Sequence, residues 1–348
     1  MPDRLKVACV GAGYFAQFHY EAWARMADVE LIGVCNRTSA KAHEIAKAHG
    51  IANSFDNLAA MLDATGPDVL DIITPPETHA SAIALGAERG LAMICQKPFT
   101  TDLATARAAA NLAATRHVTL VVHENFRFQP WYAAIKQAID DGAIGEPYQI
   151  GFRLRPGDGQ GPDAYLARQP YFQTMPRFLV HETAIHFIDV FRYLFGEITG
   201  VFARLVKLNP VIAGEDAGYI VFDFANRARG LFDGNRLVDH PADNHRLTMG
   251  ELLIEGSDGA LSLDGDGGVH LRKHGETGWQ PVPFAWQARG FAGDCVYRLQ
   301  RHVVDCLRSG SQPMNTAAAY VRNLEIEEAV YRSSASGQFI ALSGDTVA

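Results

Sequence analysis

The chain has 348 residues, 48% of them apolar, and carries 39 acidic against 31 basic residues for a formal net charge of −8. That length allows about two domains with a sizeable core, and the acidic balance leaves no basic stripe to neutralise phosphates, which argues against nucleic acid as a partner. The five cysteines are odd in number and lack C-x-x-C spacing, which argues against a disulfide framework or zinc knuckle; no apolar run reaches the roughly 18 residues of a membrane span, and a reducing cytoplasm is the expected compartment.

In chain order, the first third alternates short apolar runs with helical patterns. "LKVACV" precedes a helix from about Phe15, "VELIGVC" a helix through "SAKAHEIAKAHG", "VLDIIT" the helix "HASAIALGAERG", and "LAMIC" the helix "LATARAAANLAATR", which leads to "VTLVVHE". Apolar runs separated by roughly ten to fifteen helical residues imply βαβ crossovers and a parallel sheet covered on both faces. Beyond this point the texture changes. A helix near "PWYAAIKQAIDDG" and a strand "YQIGFRLR" are followed by a loop rich in glycine and proline, "PGDGQGPDAYLARQPYFQTMP", and then by "HETAIHFID" running into "VFRYLFG". From Val201 to about Leu271 strand follows strand with tight turns, which predicts an antiparallel sheet, and "AAAYVRNLEIEEAVYRSSASG" closes the chain as a helix. The expected class is α/β: a doubly wound Rossmann domain over residues 1–122, then an α+β domain over 123–348 with one open, mainly antiparallel sheet, with the chemistry between them.

Glycine placement marks the first candidate site. "GAGYFA" follows the first strand and opens a helix, so Gly11 permits the tight turn, Gly13 lets backbone N–H groups approach a pyrophosphate, and Ala16 keeps helix and strand close. The whole stretch, Tyr14 and Phe15 included, is expected to line a dinucleotide. Asn36 stands about twenty residues after Ala16, where a carboxylate often holds the adenosine ribose. An amide there bonds ribose hydroxyls without repelling a 2′-phosphate, and Arg37, Thr38 and Ser39 are able to hold that phosphate, so NAD or NADP is admitted. At the next two strand ends stand "TPPETH", with Thr74, Pro75 and His79, and "CQKPFT", with Gln96 and Lys97. Carboxyl ends of parallel strands are where such sheets bind ligands.

"HETAIHFID", residues 181–189, resembles the zinc-peptidase pattern H-E-x-x-H with one residue too many. His181 and His186 are five apart, about 140° around an ideal helix, so they share no metal ion unless the helix is distorted, and no metal is expected. Glu182 and His186 are four apart, with Asp189 three further on. A carboxylate beside an imidazole is the arrangement of a general base with an orienting partner.

Taken together, GAGYFA, TPPETH, QKP, HENFRFQP (123–130), HETAIHFID and a closing "GQFIAL" resemble the Gfo/Idh/MocA family of nicotinamide-dependent oxidoreductases over nearly the whole chain. The family's E-K-P falls on Gln96, Lys97 and Pro98, its N-x-R-F/Y on Asn125 to Phe128, and its D-x-G-x-H-x-x-D helix on Glu182 to Asp189; Gln96, Glu182 and Asn36 depart from the usual acids. The resemblance implies a sugar or polyol dehydrogenase acting on CH–OH, with Lys97, His186 and Glu182 as catalytic residues and Asn125, Arg127, Tyr165 and the 157–176 loop touching substrate beside them. "HENFRFQPWY" and "PDAYLARQPYFQTMPR" are similar to the family's D-apiose-oxidising branch, which implies oxidation of an aldose to its lactone. The open antiparallel sheet of the second domain would leave an apolar face exposed in a lone subunit, so a homodimer or homotetramer joined through it is expected. An NAD-dependent glycosidase and a non-catalytic NAD(P)-binding sugar sensor remain as alternatives.

Overall fold

The structure, a computed structural model, describes residues 4–342; the outermost ends of the two expected domains, residues 1–3 and 343–348, lie outside it. The chain divides into two compact units, Met1–Asn125 with Asp294–Arg322, and Phe126–Gly293 with Asn323–Ala348. A contiguous division at residue 122/123 therefore misses a return. The helix Cys295–Ser309 packs against the first helix of unit 1, and bonds of 2.7–2.8 Å tie Arg25 to Asp294 and Arg301 to Asp28. Val296, Leu299, Val303 and Val304 are buried, a helical spacing that reveals the helix in the sequence but not which unit it joins.

Unit 1 is built from β1 (Leu5–Val10), α1 (Ala16–Ala24), β2 (Val29–Cys35), α2 (Ser39–His49), β3 (Ser54–Phe55), α3 (Leu58–Thr65), β4 (Val69–Ile72), α4 (His79–Glu88), β5 (Ala92–Gln96), α5 (Leu103–Thr115) and β6 (Leu120–His123). The six strands are all parallel in the order β3-β2-β1-β4-β5-β6. β4 and β6 are buried along their whole lengths, as strands covered by helices on both faces must be. Order reverses at β1 and β4, the topological switch point where ligands bind at the carboxyl edge. Gly11, with φ +121°, is obligatory there, since a Cβ would meet the Ile73 carbonyl oxygen at 2.3 Å.

Beneath that edge lies a buried polar cluster. Asp71, midway along β4 and fully buried, accepts from Trp23 Nε1 at 2.7 Å and pairs with His19 Nδ1 at 2.9 Å. The His19 ring stacks at 4.1 Å on His123, whose two ring nitrogens have no hydrogen-bond partner among the described residues. Burial, and then the charge of His19, hold His123 well below the ordinary histidine value. The unfolded chain then takes up a proton that the native chain refuses, so this contribution is complete above a pH of about 6.5 and is lost progressively below it. His123→Phe should flatten the fall of thermal stability between neutral and mildly acid pH relative to wild type; parallel melting curves for the two proteins would count against this.

Unit 2 contains α6 (Pro130–Asp140), β7 (Pro147–Leu154), a π-helical turn (Leu179–Ala184), α7 (Ile185–Phe195), β8 (Ile198–Val206), β9 (Ala217–Phe224), β10 (Arg229–Asn235), β11 (Gly250–Gly256), β12 (Gly259–Leu263), β13 (Val269–Lys273), β14 (Gln280–Pro281) and β15 (Ile340–Ala341). Its nine-stranded sheet runs β14-β13-β12-β11-β7-β10-β9-β8-β15, antiparallel except between β7 and β10. α7 lies on the inner face. Phe187, Phe191 and Phe195, four apart and so on one helical face, meet Phe152 at 3.9 Å, Phe222 at 5.8 Å and Phe224 at 5.4 Å. Each buried phenyl stabilises the docking by about 1.5–3 kcal/mol, which fixes where the neighbouring face of α7 points.

Candidate active site

In unit 1 the expected cofactor residues fall on the carboxyl edge of the sheet: Gly11–Ala16 after β1, Asn36 and Arg37 after β2, Thr74 and Pro75 after β4, Gln96 and Lys97 at the end of β5. Among the described residues, its chain neighbours aside, a Cβ on Gly13 would meet no atom within 4 Å, so the space it keeps clear is open to a ligand. Among the described residues no side chain caps the N-terminus of α1, which leaves its positive end to a phosphate. These features fit a bound dinucleotide. The backbone N–H of half-buried Lys97 donates to Gln96 Oε1 at 3.0 Å: the side-chain amide caps the lysine's own N–H.

Several of these residues also have internal partners. His79 is fully buried with both ring nitrogens on carbonyls, Nδ1 to Phe99 at 2.9 Å and Nε2 to Thr74 at 2.7 Å. It is a strut between the turns after β4 and β5. Phe15 packs its ring on His19 and His123 at 5.8 and 6.4 Å, whereas Tyr14 is exposed. Asn36 donates to the Thr38 carbonyl at 3.1 Å while Arg37 is exposed. Asp56 escaped the sequence reading: its Oδ2 accepts from Ser39 Oγ at 3.3 Å, and, after burial, its charge helps push the Cys35 thiol up to about 11. It follows the two-residue β3, too short to recognise by periodicity.

In unit 2 the decisive segment is the turn Leu179–Ala184, which is π-helical before α7 begins. The distortion that would let residues five apart share a face is thus present. Their partners nonetheless separate them. His181 Nδ1 pairs with Glu327 at 2.7 Å, whereas the His186 ring lies flat on Phe126 at 4.0 Å with planes 5° apart. Among the described residues no group of three or more histidine, cysteine or acidic side chains forms a metal site. Glu215 fixes the turn, its Oε1 accepting from Phe178 and Val180 N–H at 3.2 and 3.1 Å and from the Tyr331 hydroxyl at 2.7 Å.

His186, Asp189 and Tyr193 share the polar face of α7. Asp189 is 1% exposed and takes Arg127 Nε and Nη2, both at 2.7 Å, and Asn323 Nδ2 at 2.8 Å. The Arg127 guanidinium also lies over Tyr193 at 5.2 Å. Arg127, expected to touch substrate, is held by this bidentate pair, the geometry a guanidinium fork satisfies best. Tyr165, also expected to touch substrate, is 7% exposed; it packs with Phe172, Phe178 and Ile212, and its hydroxyl donates to Asp158 at 3.1 Å and accepts from Arg236 at 2.8 Å. Tyr171, two residues beyond Gln169 and bonded to it at 3.0 Å, is the exposed aromatic of that loop. Partial burial, and then the charge of Glu182, raise its phenol above the ordinary value. Asn125, buried, ends unit 1.

The 3-2-1-4-5-6 parallel sheet with a glycine turn at its switch point defines an NAD-binding oxidoreductase fold. Residues 5–124 match the model of the oxidoreductase family with NAD-binding Rossmann fold, and residues 132–262 that of the GFO/IDH/MocA C-terminal domain. The chain belongs to the GFO/IDH/MocA family of oxidoreductases. It is 33% identical to D-apiose dehydrogenase of Paraburkholderia graminis, over 97% of this chain and 90% of that one, and 29% identical to D-apiose dehydrogenase of Rhizobium rhizogenes, over 97% of each. An oxidoreductase from Agrobacterium radiobacter, solved in complex with NAD+, L-tartaric acid and magnesium, superposes with a TM-score of 0.88 at 27% identity, covering 97% of this chain and 98% of that one. Among the described residues no helix is long and apolar enough to cross a membrane.

Proposed function

We propose that the protein oxidises a sugar hydroxyl with NAD, an aldose of the D-apiose type being converted to its lactone. Two relatives named for that activity match nearly the whole chain. The observation that carries the chemical assignment is His186: a buried imidazole, 6% exposed, with its plane set by the parallel Phe126 ring. When bound, the nicotinamide supplies the hydride acceptor. His186 takes the hydroxyl proton as the carbinol carbon gives up its hydride, and the Lys97 ammonium stabilises the negative charge developing on that oxygen. Glu182 orients the imidazole or bonds a neighbouring hydroxyl, Asn125 contributes to sugar binding, and Gly11, Gly13, Asn36 and the Thr74–Pro75 turn hold the dinucleotide. NAD is favoured over NADP because Asp56, beside Ser39, repels a 2′-phosphate. Five buried free cysteines accord with a reducing, cytoplasmic setting.

The test is a panel of apiose, other aldoses and inositols with NAD and NADP, followed by nicotinamide absorbance, with nitrophenyl glycosides alongside. Reduction of NAD by apiose in preference to inositols is expected. Glycoside cleavage without net reduction, or no reduction by any sugar, would overturn the proposal.

The same reading makes the outer face of the second sheet a contact between copies. Phe202, Val221, Leu231, Gly151 and Leu253 stand in one register row across five adjacent strands, with Leu231 39% and Leu253 42% exposed. A row in which Arg204, Tyr219, Asp233, Arg153 and Glu251 alternate in character flanks it. An apolar stripe beside alternating charges suits a self-complementary dimer or tetramer. Leu231→Asp should shift the sedimentation coefficient to that of a smaller species; a wild-type monomer at micromolar concentration would refute the assembly.

A further inference from the structure

Unit 2 holds a charged side chain that the chemistry above does not use. Arg236, the residue after β10, is 1% exposed, and a buried guanidinium is costly unless every donor is engaged. Here the engagement is directed at two segments. Nη1 donates to Thr183 Oγ1 at 2.6 Å, inside the π-helical turn; Nη2 donates to Asp158 Oδ2 at 2.8 Å and Nε to the Tyr165 hydroxyl at 2.8 Å, both in the 157–176 loop. The rings of Phe178, Tyr165 and Phe172 surround the same carbon at 4.7, 5.2 and 5.7 Å, a cation–π enclosure.

The backbone repeats the message. Gly159 N–H donates to the Arg236 carbonyl at 2.9 Å, and a Cβ on Gly159 would stand 2.9 Å from the Tyr165 hydroxyl and 3.1 Å from Arg236 Cβ. Asn209 Nδ2 donates to the Gly159 and Gly161 carbonyls at 2.7 and 2.9 Å. The loop is thereby closed down on the arginine, and the arginine on Thr183, which sits between Glu182 and the residues leading to His186.

We propose that Arg236 is the positioning residue of this site, locking the turn that carries Glu182 and leads into the helix of His186 to the loop that carries Gln169 and Tyr171, so that the acid/base group and the sugar-facing loop hold one geometry. The inference rests on the reading of His186 as the acid/base group. Its consequence is that an interaction remote from the substrate sets turnover, since small misplacements of a reacting group cost large factors in rate.

Thr183→Val keeps the side-chain shape and removes the acceptor for Nη1. The expected result is a fall in kcat of about tenfold or more with KM for NAD unchanged, faster amide hydrogen exchange in residues 157–176 and 178–186 together, and recovery of both by Thr183→Ser. Should the valine variant fail to fold, Asp158→Asn, which weakens the other end of the same lock, takes its place with the same readouts. Unchanged exchange in the 178–186 turn, or unchanged kcat in an active enzyme, overturns the proposal. If wild type reduces NAD with no sugar, the functional reading falls instead, and the exchange experiment still decides whether Arg236 couples the two segments.

Discussion

His186→Ala is expected to lower kcat on the sugar identified by the panel by at least about a hundredfold, the scale of a lost general base, while binding of NADH measured by fluorescence stays within about twofold because the dinucleotide residues are untouched. The argument is one of placement. The ring is buried and stacked at 4.0 Å on Phe126, and α7 is anchored by three phenylalanines on its adjoining face, which fixes where the imidazole stands. Lys97→Ala should act on the same scale, through loss of the charge that stabilises the developing alkoxide. On the proposed mechanism, combining the two changes should cost far less than the product of their separate effects, since residues acting as a unit are not additive. Retention of most turnover by His186→Ala would remove it from the proton-transfer role.

The largest effect on stability is expected at Asp189. Removing its carboxylate leaves the Arg127 guanidinium, whose side chain is 12% exposed, without its bidentate partner, and Asn323 without its acceptor. Breaking a buried pair on one side costs about 3–5 kcal/mol, so Asp189→Ala should lower the denaturant midpoint substantially. Replacing both partners together, Arg127→Met with Asp189→Leu, should recover most of the loss, because the desolvated pair contributes little net stability over an apolar couple. A midpoint for Asp189→Ala equal to that of wild type would show that water reaches the guanidinium. Since Asp189 lies less than one turn from His186 on the same face, the single variant should also lose activity while the double variant regains stability only.

The contrast between Arg127 and Lys97 shows how much of the site a sequence carries. Both are cations beside recognisable motifs, and both look equally available as residue types. Lys97 is marked by its place at the end of a buried strand, a property of local pattern. That Arg127 is turned onto Asp189, 62 positions away in the chain, has no local signature. Tyr165 and His79 repeat the case: an exposed-looking tyrosine in a glycine-rich loop and a histidine after a strand both end with their polar atoms on internal partners.

By itself the sequence determined the alternation of strands and helices, the parallel sheet with its glycine turn, and the antiparallel second sheet, because periodicities of two and 3.6 and the demands of tight turns are local. Only the tertiary structure decided that residues 294–322 return to unit 1, that the HETAIHFID segment begins as a π-helical turn, and that Arg236 grips it. Those outcomes depend on which distant groups satisfy one another's charges and hydrogen bonds, and residues far apart along a chain leave no mark of their pairing on its local pattern.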